Sequence, residues 1–227
     1  MNLADSLEIL IQKLYIPDQT STWSEYYDEA ASRPDYLSAK QKIVSRWLDQ
    51  LKPATTADFG ANTGEFSRLA AEYGRVIASD FDPFCVERLY NEIKASKIQR
   101  IHPFILDLSK PSPAIGVNNI ERASFSERIY ADTAFALALI HHLSIGKNIP
   151  FDSMAEFFKN ICDHLIIEFV PKMDEKIQLM LSNKKDHYTD YSEDKFVNAF
   201  QKNFKILEKT PVGSSGRILY LMKKHER

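Results

Sequence analysis

Glycine is scarce in this chain: seven residues in 227, where average usage near 7% would give about 16. The glycines present are therefore placed rather than scattered, and two of them, Gly60 and Gly64, share one short turn. Cysteine is scarcer. Cys85 and Cys162 are the two in the sequence, and neither sits in a motif. That excludes a disulfide framework and a zinc-type Cys/His cluster, and buried free thiols are expected instead. No constellation of carboxylates marks a magnesium site, so no metal is expected. Apolar runs stay short of the roughly 18 residues that would read as a membrane span. One-sided charge is missing too: 29 Lys and Arg against 31 acids leave a net charge of −2. With no Lys/Arg-rich run, nothing points to a nucleic-acid partner. The first residues, MNLADSLEILIQKLYIP, carry Asp5 and Glu8 among their apolar positions and no basic leader. A secretory signal is not expected, and a cytoplasmic location is.

What is present begins with a core: 44% of the residues are apolar, enough for one α/β domain with an appendage. The stretch Ala57 to Asp82, ADFGANTGEFSRLAAEYGRVIASDFD, reads as strand, tight turn, amphipathic helix, strand. Phe66, Leu69, Ala70 and Tyr73 fall at i, i+3, i+4, i+7, one face of a helix. Gly74 fits its C-cap. The second strand, Arg75 to Asp80, ends in an acid about 20 residues past the turn, a distance that suits a ribose hydroxyl pair in a nucleotide-binding βαβ unit. A dinucleotide site wants G-x-G-x-x-G with the pyrophosphate on the helix N-terminus. Here the spacing is Asp58-x-Gly60-x-x-x-Gly64. The acid would repel an anion and attract a cationic amino-acid tail.

This D-x-G-x-x-x-G turn resembles motif I of the class I S-adenosylmethionine (SAM) methyltransferases. Asp80 matches that family's acid on the ribose. Asp107, in Phe104-Ile-Leu-Asp-Leu, matches its acid near the adenine amine. Ala136 to Leu143, ALALIHHL, is similar to the motif of its fourth strand. The stretches SPAIGVNN, ALALIHHL and IIEFVPK are similar to the nodulation-protein NoeA-like subgroup. The resemblance spans roughly residues 54 to 223 and implies a Rossmann-like, seven-stranded sheet with helices on both faces and an N-terminal helical appendage. It also implies SAM as cofactor, held by Asp58, Gly60, Ala61, Asn62, Gly64, Asp80, Phe81, Asp107, Leu108 and Leu137. Residues 1–37 form the appendage, a helix and an aromatic connector, and 38–227 the SAM-binding domain.

The other elements follow from periodicity and punctuation. Leu3, Leu7, Leu10 and Leu14 mark a first short helix ended by Pro17. Residues 18–36 are polar but hold Trp23, Tyr26, Tyr27 and Tyr36, which reads either as a lid or as packing across the sheet edge. A helix from Tyr36 to Leu51 turns Val44, Trp47, Leu48 and Leu51 to one side. Asp82-Pro83 starts another helix as N-cap and first residue, with Val86, Leu89, Tyr90 and Ile93 inward. Strands are expected over 101–106, 129–137 and 165–170, helices over 152–160, 172–182 and 192–202, and a hairpin from 204–208 and 218–222. The long stretch 108–128 carries a short helix near its end.

For the chemistry, His141 and His142 lie beyond the carboxyl end of strand four, where open α/β sheets bind ligands. Adjacent residues cannot both point one way, so one of them faces the ligand and the other bonds to structure. Glu168 interrupts an apolar strand, which is costly unless the acid is paired or functional. His141 and Glu168, then His142, and after it Tyr188, are the candidates to handle the acceptor's proton. In 184–191, Asp186 and His187 read as a solvated loop, and Arg122 and Arg128 as exposed helix residues. Asp82 serves better as a cap than as a ligand contact. The expected activity is transfer of a methyl group from SAM to an oxygen or nitrogen of a small molecule. The alternatives are a noncatalytic partner protein of the same fold and, behind it, a nicotinamide-dependent enzyme. Acceptor identity and oligomeric state are not in the sequence.

Overall fold

The computed structural model describes residues 2–14, 34–182 and 188–226. The aromatic connector through Tyr27, and Asp186 and His187, lie outside the described residues. Helix α1 spans Leu3–Lys13, capped by Asn2 and Asp5 in a reciprocal box, and buries none of its residues. Helix α2 spans Pro34–Leu51. An alternation then follows: β1 Thr55–Phe59, α3 Glu65–Ala71, β2 Arg75–Asp80, α4 Pro83–Ala95, β3 Ile101–Ile105, α5 Phe125–Arg128, β4 Ala131–Ala136, α6 Phe151–Ile161, β5 Cys162–Phe169, α7 Glu175–Leu181, α8 Glu193–Gln201, β6 Phe204–Pro211 and β7 Ile218–Lys224.

The strands form one seven-stranded sheet in the order β3-β2-β1-β4-β5-β7-β6. Neighbours from β3 to β5 are parallel, and β7 runs antiparallel to both β5 and β6. This is the Rossmann-like architecture expected, with the terminal hairpin in place. Strand order reverses between β1 and β4, so a crevice opens at their carboxyl ends.

Each strand is pleated, so successive residues serve opposite faces. On β4, Ala134 and Ala136 join the core under α6 and α8, while Phe135 and Leu137 join the core under α2, α3 and α4. On β5, Leu165, Ile167 and Phe169 face α6 and α8, and Ile166 faces α2. Glu168 therefore shares the α2 side. Both cysteines are buried and free. Among the described residues, no helix is long and apolar enough to cross a membrane, and no three metal-ligating side chains gather.

Two local expectations change. Gly74 does not adopt the left-handed cap conformation, since it is absent from the positive-φ glycines. A Cβ there would come within 2.1 Å of the Ala54 carbonyl oxygen, so glycine serves close approach of backbone to backbone. On α4 the buried row is Cys85, Leu89 and Ile93, spaced i, i+4, i+8, and Tyr90 is exposed. The helix is rolled one residue from the anticipated face. Asp82 caps it as expected, accepting from the Phe84 amide at 2.9 Å.

Candidate active site

A cleft of about 420 Å³ opens at the carboxyl ends of β1, β2, β3 and β4. Its size lies in the range of small-molecule and cofactor sites. Gly60, Asn62, Asp80, Phe81, Asp107, Leu108, Leu137 and His142 all line it. A second cavity, about 540 Å³, shares Leu106 and Asp107 but none of the glycine-turn residues.

The turn after β1 is built from left-handed residues: Gly60 at φ +74°, Asn62 at +50° and Gly64 at +83°. Its amides are used within the protein. Those of Gly60 and Ala61 donate to the Ser79 carbonyl at 2.8 and 2.9 Å. The Asn62 amide donates to Asp80 Oδ2 at 2.9 Å, and the Thr63 amide to Asn62 Oδ1 at 2.7 Å. The Gly64 amide donates to the Ala61 carbonyl at 2.8 Å. Five amides turned inward leave this turn no phosphate cradle, which agrees with an acid two residues before it. Gly64 faces α4: a Cβ would meet the Leu89 side chain at 2.5 Å. Gly60 faces the β4 turn, where a Cβ would stand 3.3 Å from the Leu139 side chain. Ala61 is buried in the core beneath.

Three acids shape the electrostatics. Asp58 lies under the floor, 2% exposed, and accepts from Ser67 Oγ at 2.6 Å. Burial pushes its carboxyl up to about 6, against the opposing Ser67 hydrogen bond. Asp80 stands in the cleft wall with both oxygens anchored, Oδ2 by Asn62 and Oδ1 by the Asp82 amide at 3.0 Å. Burial raises its carboxyl as well, with the backbone hydrogen bonds working the other way. Asp107 accepts from the Ser109 hydroxyl at 2.6 Å and amide at 2.9 Å, and the hydroxyl bond leads in holding it below its ordinary value. Phe81, 53% exposed, follows Asp80 and also lines the cleft.

The β4 turn is the other wall. After Ala136 the chain passes through Ala138 at φ +50° and enters a π-helical turn, His142–Gly146. Wide turns of this kind cluster at functional sites. This one brings His142, Leu143, Gly146 and Lys147 to the cleft. The ring of His141 packs on His142, centroids 4.0 Å apart, but is 1% exposed and turned away from the cleft. Its Nδ1 is buried without a hydrogen-bond partner among the described residues. Burial leads in lowering both histidines: His142 to about 4, with the Arg217 charge adding, and His141 well below its usual value. Both are neutral at pH 7. A left-handed alanine costs roughly 1–2 kcal/mol, so the turn needs external support.

Glu168 does not line the cleft. It is wholly buried and accepts from Tyr36 Oη at 2.5 Å, Lys40 Nζ at 2.6 Å and the Ala138 amide at 2.8 Å. Burial alone would raise its carboxyl, but the Lys40 and Arg217 charges hold it below the usual carboxylate range. Arg217 binds Asp174 through two nitrogens, at 2.8 and 3.1 Å, and donates to Tyr36 Oη at 3.0 Å. Tyr188, the last candidate, donates to the Ile145 carbonyl at 2.8 Å and does not line the cleft. His141 and Glu168 thus do not open a pocket between them, since neither lines the cleft, and of the two histidines it is His142 that reaches it.

Sequence reasoning missed Lys40 as a cleft residue, and reached Tyr36 only as one aromatic of the connector. Lys40 is 4% exposed and sits over the Phe66 ring at 4.9 Å. A signal existed: Lys40, Val44, Trp47 and Leu51 fall at i, i+4, i+7, i+11, so a lysine occupies a core position one turn before the apolar stripe begins.

No family model matches the chain. It is 35% identical over 209 residues to nodulation protein NoeA of Rhizobium meliloti (strain 1021), a match spanning 91% of this chain and 44% of that protein. The chain thus spans less than half the length of this relative. Among solved structures, the N-methyltransferase NodS from Bradyrhizobium japonicum WM9 in complex with S-adenosyl-L-homocysteine (SAH) aligns at a TM-score of 0.62 and 12% identity, over 84% of this chain and 88% of that one. Magnesium protoporphyrin IX methyltransferase ChlM from Synechocystis PCC 6803 with bound SAH aligns at 0.57 and 16% identity, over 96% and 95%. At such identities the likeness shows the fold, which is that of these SAM-dependent methyltransferases.

Proposed function

We propose that this chain is a SAM-dependent methyltransferase acting on an oxygen or nitrogen of a small molecule. The observation that carries the reading is Asp80: a carboxylate at the end of β2, anchored through both oxygens by backbone amides and lining the cleft. That geometry suits a vicinal diol. Asp107 and Leu108 would hold the adenine edge, with Phe81 against the ring face. Gly60 and Asn62 would flank the amino-acid tail, over the negative potential of Asp58. When bound, SAM supplies a methyl group on a cationic sulfur, open to in-line displacement.

His142 is the group assigned to the acceptor. Neutral at pH 7, it can accept a hydrogen bond from a hydroxyl or amine and orient the lone pair that attacks. The His141 ring packs against it, centroids 4.0 Å apart. The apolar lining from Leu137, Leu139, Leu143 and Met180 suits a small organic acceptor, and excluding water there strengthens each polar contact. The fold shared with NodS and ChlM, an N-methyltransferase and a porphyrin methyltransferase, supports a small-molecule acceptor. Calorimetry with SAM and SAH tests the cofactor: micromolar binding is expected, and no binding at millimolar ligand overturns the enzyme reading and leaves a partner protein of the same fold. Labelled SAM with panels of hydroxyl and amine acceptors then tests the acceptor. His142→Gln should lower turnover by about tenfold or more, the loss of one orienting hydrogen bond, with SAM affinity unchanged.

A further inference from the structure

Glu168 joins three separate pieces of the molecule. From α2 it accepts Tyr36 Oη and Lys40 Nζ, and from the turn after β4 it accepts the Ala138 amide. Ala138 is left-handed at φ +50° yet has neither the freedom of glycine nor a side chain that could bond its own backbone, as asparagine does. It lines the cleft between Leu137 and Leu139, and the Leu139 side chain rests against Gly60. The shape of the floor between the glycine-turn wall and the β4 wall therefore depends on this strained residue. Its amide hydrogen bond ends on a carboxylate that is buried, charged and locked by Lys40 on one side and by Tyr36 and Arg217 on the other. Arg217 is balanced in turn by Asp174, so the cluster is neutral and has no charge left to seek solvent.

We propose that Glu168 is a positioning residue: it clamps the left-handed turn at Ala138 to helix α2 and so sets the wall of the cleft on which methyl transfer occurs. The inference rests on the reading of that cleft as the cofactor site. Glu168 itself touches neither cofactor nor acceptor, because Tyr36, Lys40 and the Ala138 backbone stand between it and open space. The strand alternation explains why an acid is there at all. Position 168 faces α2, and the β4 turn offers it a backbone donor that no apolar residue could accept.

The test compares two variants of equal charge, Lys40→Met/Glu168→Gln and Lys40→Met/Glu168→Met. Both remove the ion pair, so neither buries an unpaired charge, but only glutamine keeps an acceptor for the Ala138 amide. Two measurements are made: hydrogen exchange across 137–143 in the ligand-free protein, and SAH affinity by calorimetry. The glutamine variant should keep exchange slow and bind SAH about tenfold or more tightly than the methionine variant. Adding Ala138→Gly to the methionine variant should recover most of that loss, since glycine needs no clamp. Equal exchange in the two overturns the clamp. Different exchange with equal SAH affinity overturns its role in the cleft. If the wild-type chain binds no SAH, the cofactor reading fails, and the exchange comparison still decides the clamp. Should the methionine variant not fold, Ala138→Gly alone decides: a lowered melting temperature shows an unstrained turn and overturns the proposal.

Discussion

Replacing Asp80 with alanine should separate cofactor binding from folding. The Asp80 carboxylate accepts the Asn62 amide at 2.9 Å and the Asp82 amide at 3.0 Å, and the Phe81 backbone also bonds to it. A ribose diol would take up the remaining acceptor capacity of the carboxylate's two oxygens. Charge-assisted hydrogen bonds contribute about 1.5–3 kcal/mol each, but water occupies the same lone pairs in the open cleft. A net of about 2–3 kcal/mol for the pair is therefore expected, which is roughly 30–150-fold in Kd. Calorimetry with SAM at pH 7.5 reads this directly. The sign with pH follows from burial, which raises the Asp80 carboxyl. The diol needs the carboxylate, so wild-type affinity should fall as pH drops through that raised value, and the alanine variant should lose this dependence. Stability behaves oppositely. An acid raised on folding disfavours the fold once charged, so losing Asp80 removes a penalty near pH 7 while water reaches the freed amides. Melting temperature should change little. SAM affinity within twofold of wild type would remove Asp80 from the site and the diol argument with it.

Asp58→Asn should raise stability by about 1–2 kcal/mol at pH 7, because a carboxyl pushed up to about 6 is costly to ionise in the fold; the gain, read by urea unfolding, should shrink as pH falls from about 6 toward its unfolded value near 4. The same variant should bind SAM more weakly, which calorimetry checks. His142, lowered to about 4, works in the opposite sense: the unfolded chain takes up its proton near 6.5 and the folded one does not, so stability falls as pH drops from about 6.5 to 4. His142→Gln should flatten that slope, by about 1 kcal/mol between pH 7.5 and 5 after discounting for its partial exposure; an unchanged slope in urea midpoints refutes the assignment. Gly74→Ala drives a Cβ to 2.1 Å from the Ala54 carbonyl and should cost about 2–3 kcal/mol, whereas Gly213→Ala, whose Cβ would meet nothing nearer than 3.9 Å, should cost only the roughly 1 kcal/mol of a left-handed alanine. Equal thermal shifts in the two would refute the steric argument at Gly74.

The glycine-turn end of the cleft was legible because its determinants are local. Gly60, Asn62 and Gly64 specify a backbone path through their positive φ values, and Asp80 follows at the end of the next strand, one βα unit away. The strand boundaries of β2 and the cap at Asp82 were equally readable, since proline, glycine and short polar side chains act on their own backbone. The β4-turn end was legible in composition but not in arrangement. A His-His pair after β4 and an acid in β5 announced chemistry, yet which ring faces the cleft depends on the π-helical turn, a register that hydrophobic periodicity does not encode.

What the sequence by itself determined is the order of its elements and the residues of the glycine turn, because each rests on spacings within a dozen or two residues; the fold class came with the resemblance that those motifs carry. Only the tertiary structure decided that Glu168 is a buried partner and that His142 forms the wall of the site. The Glu168 partner Lys40 lies 128 residues earlier in the chain, and Tyr36 lies 132 earlier. Whether a buried acid acts on a ligand or on another side chain is settled by which charge packing brings within about 3 Å of it, where close, hydrogen-bonded opposite charge offsets part of the cost of burial. That distance is a property of helix α2 docked on the sheet, and no local pattern contains it.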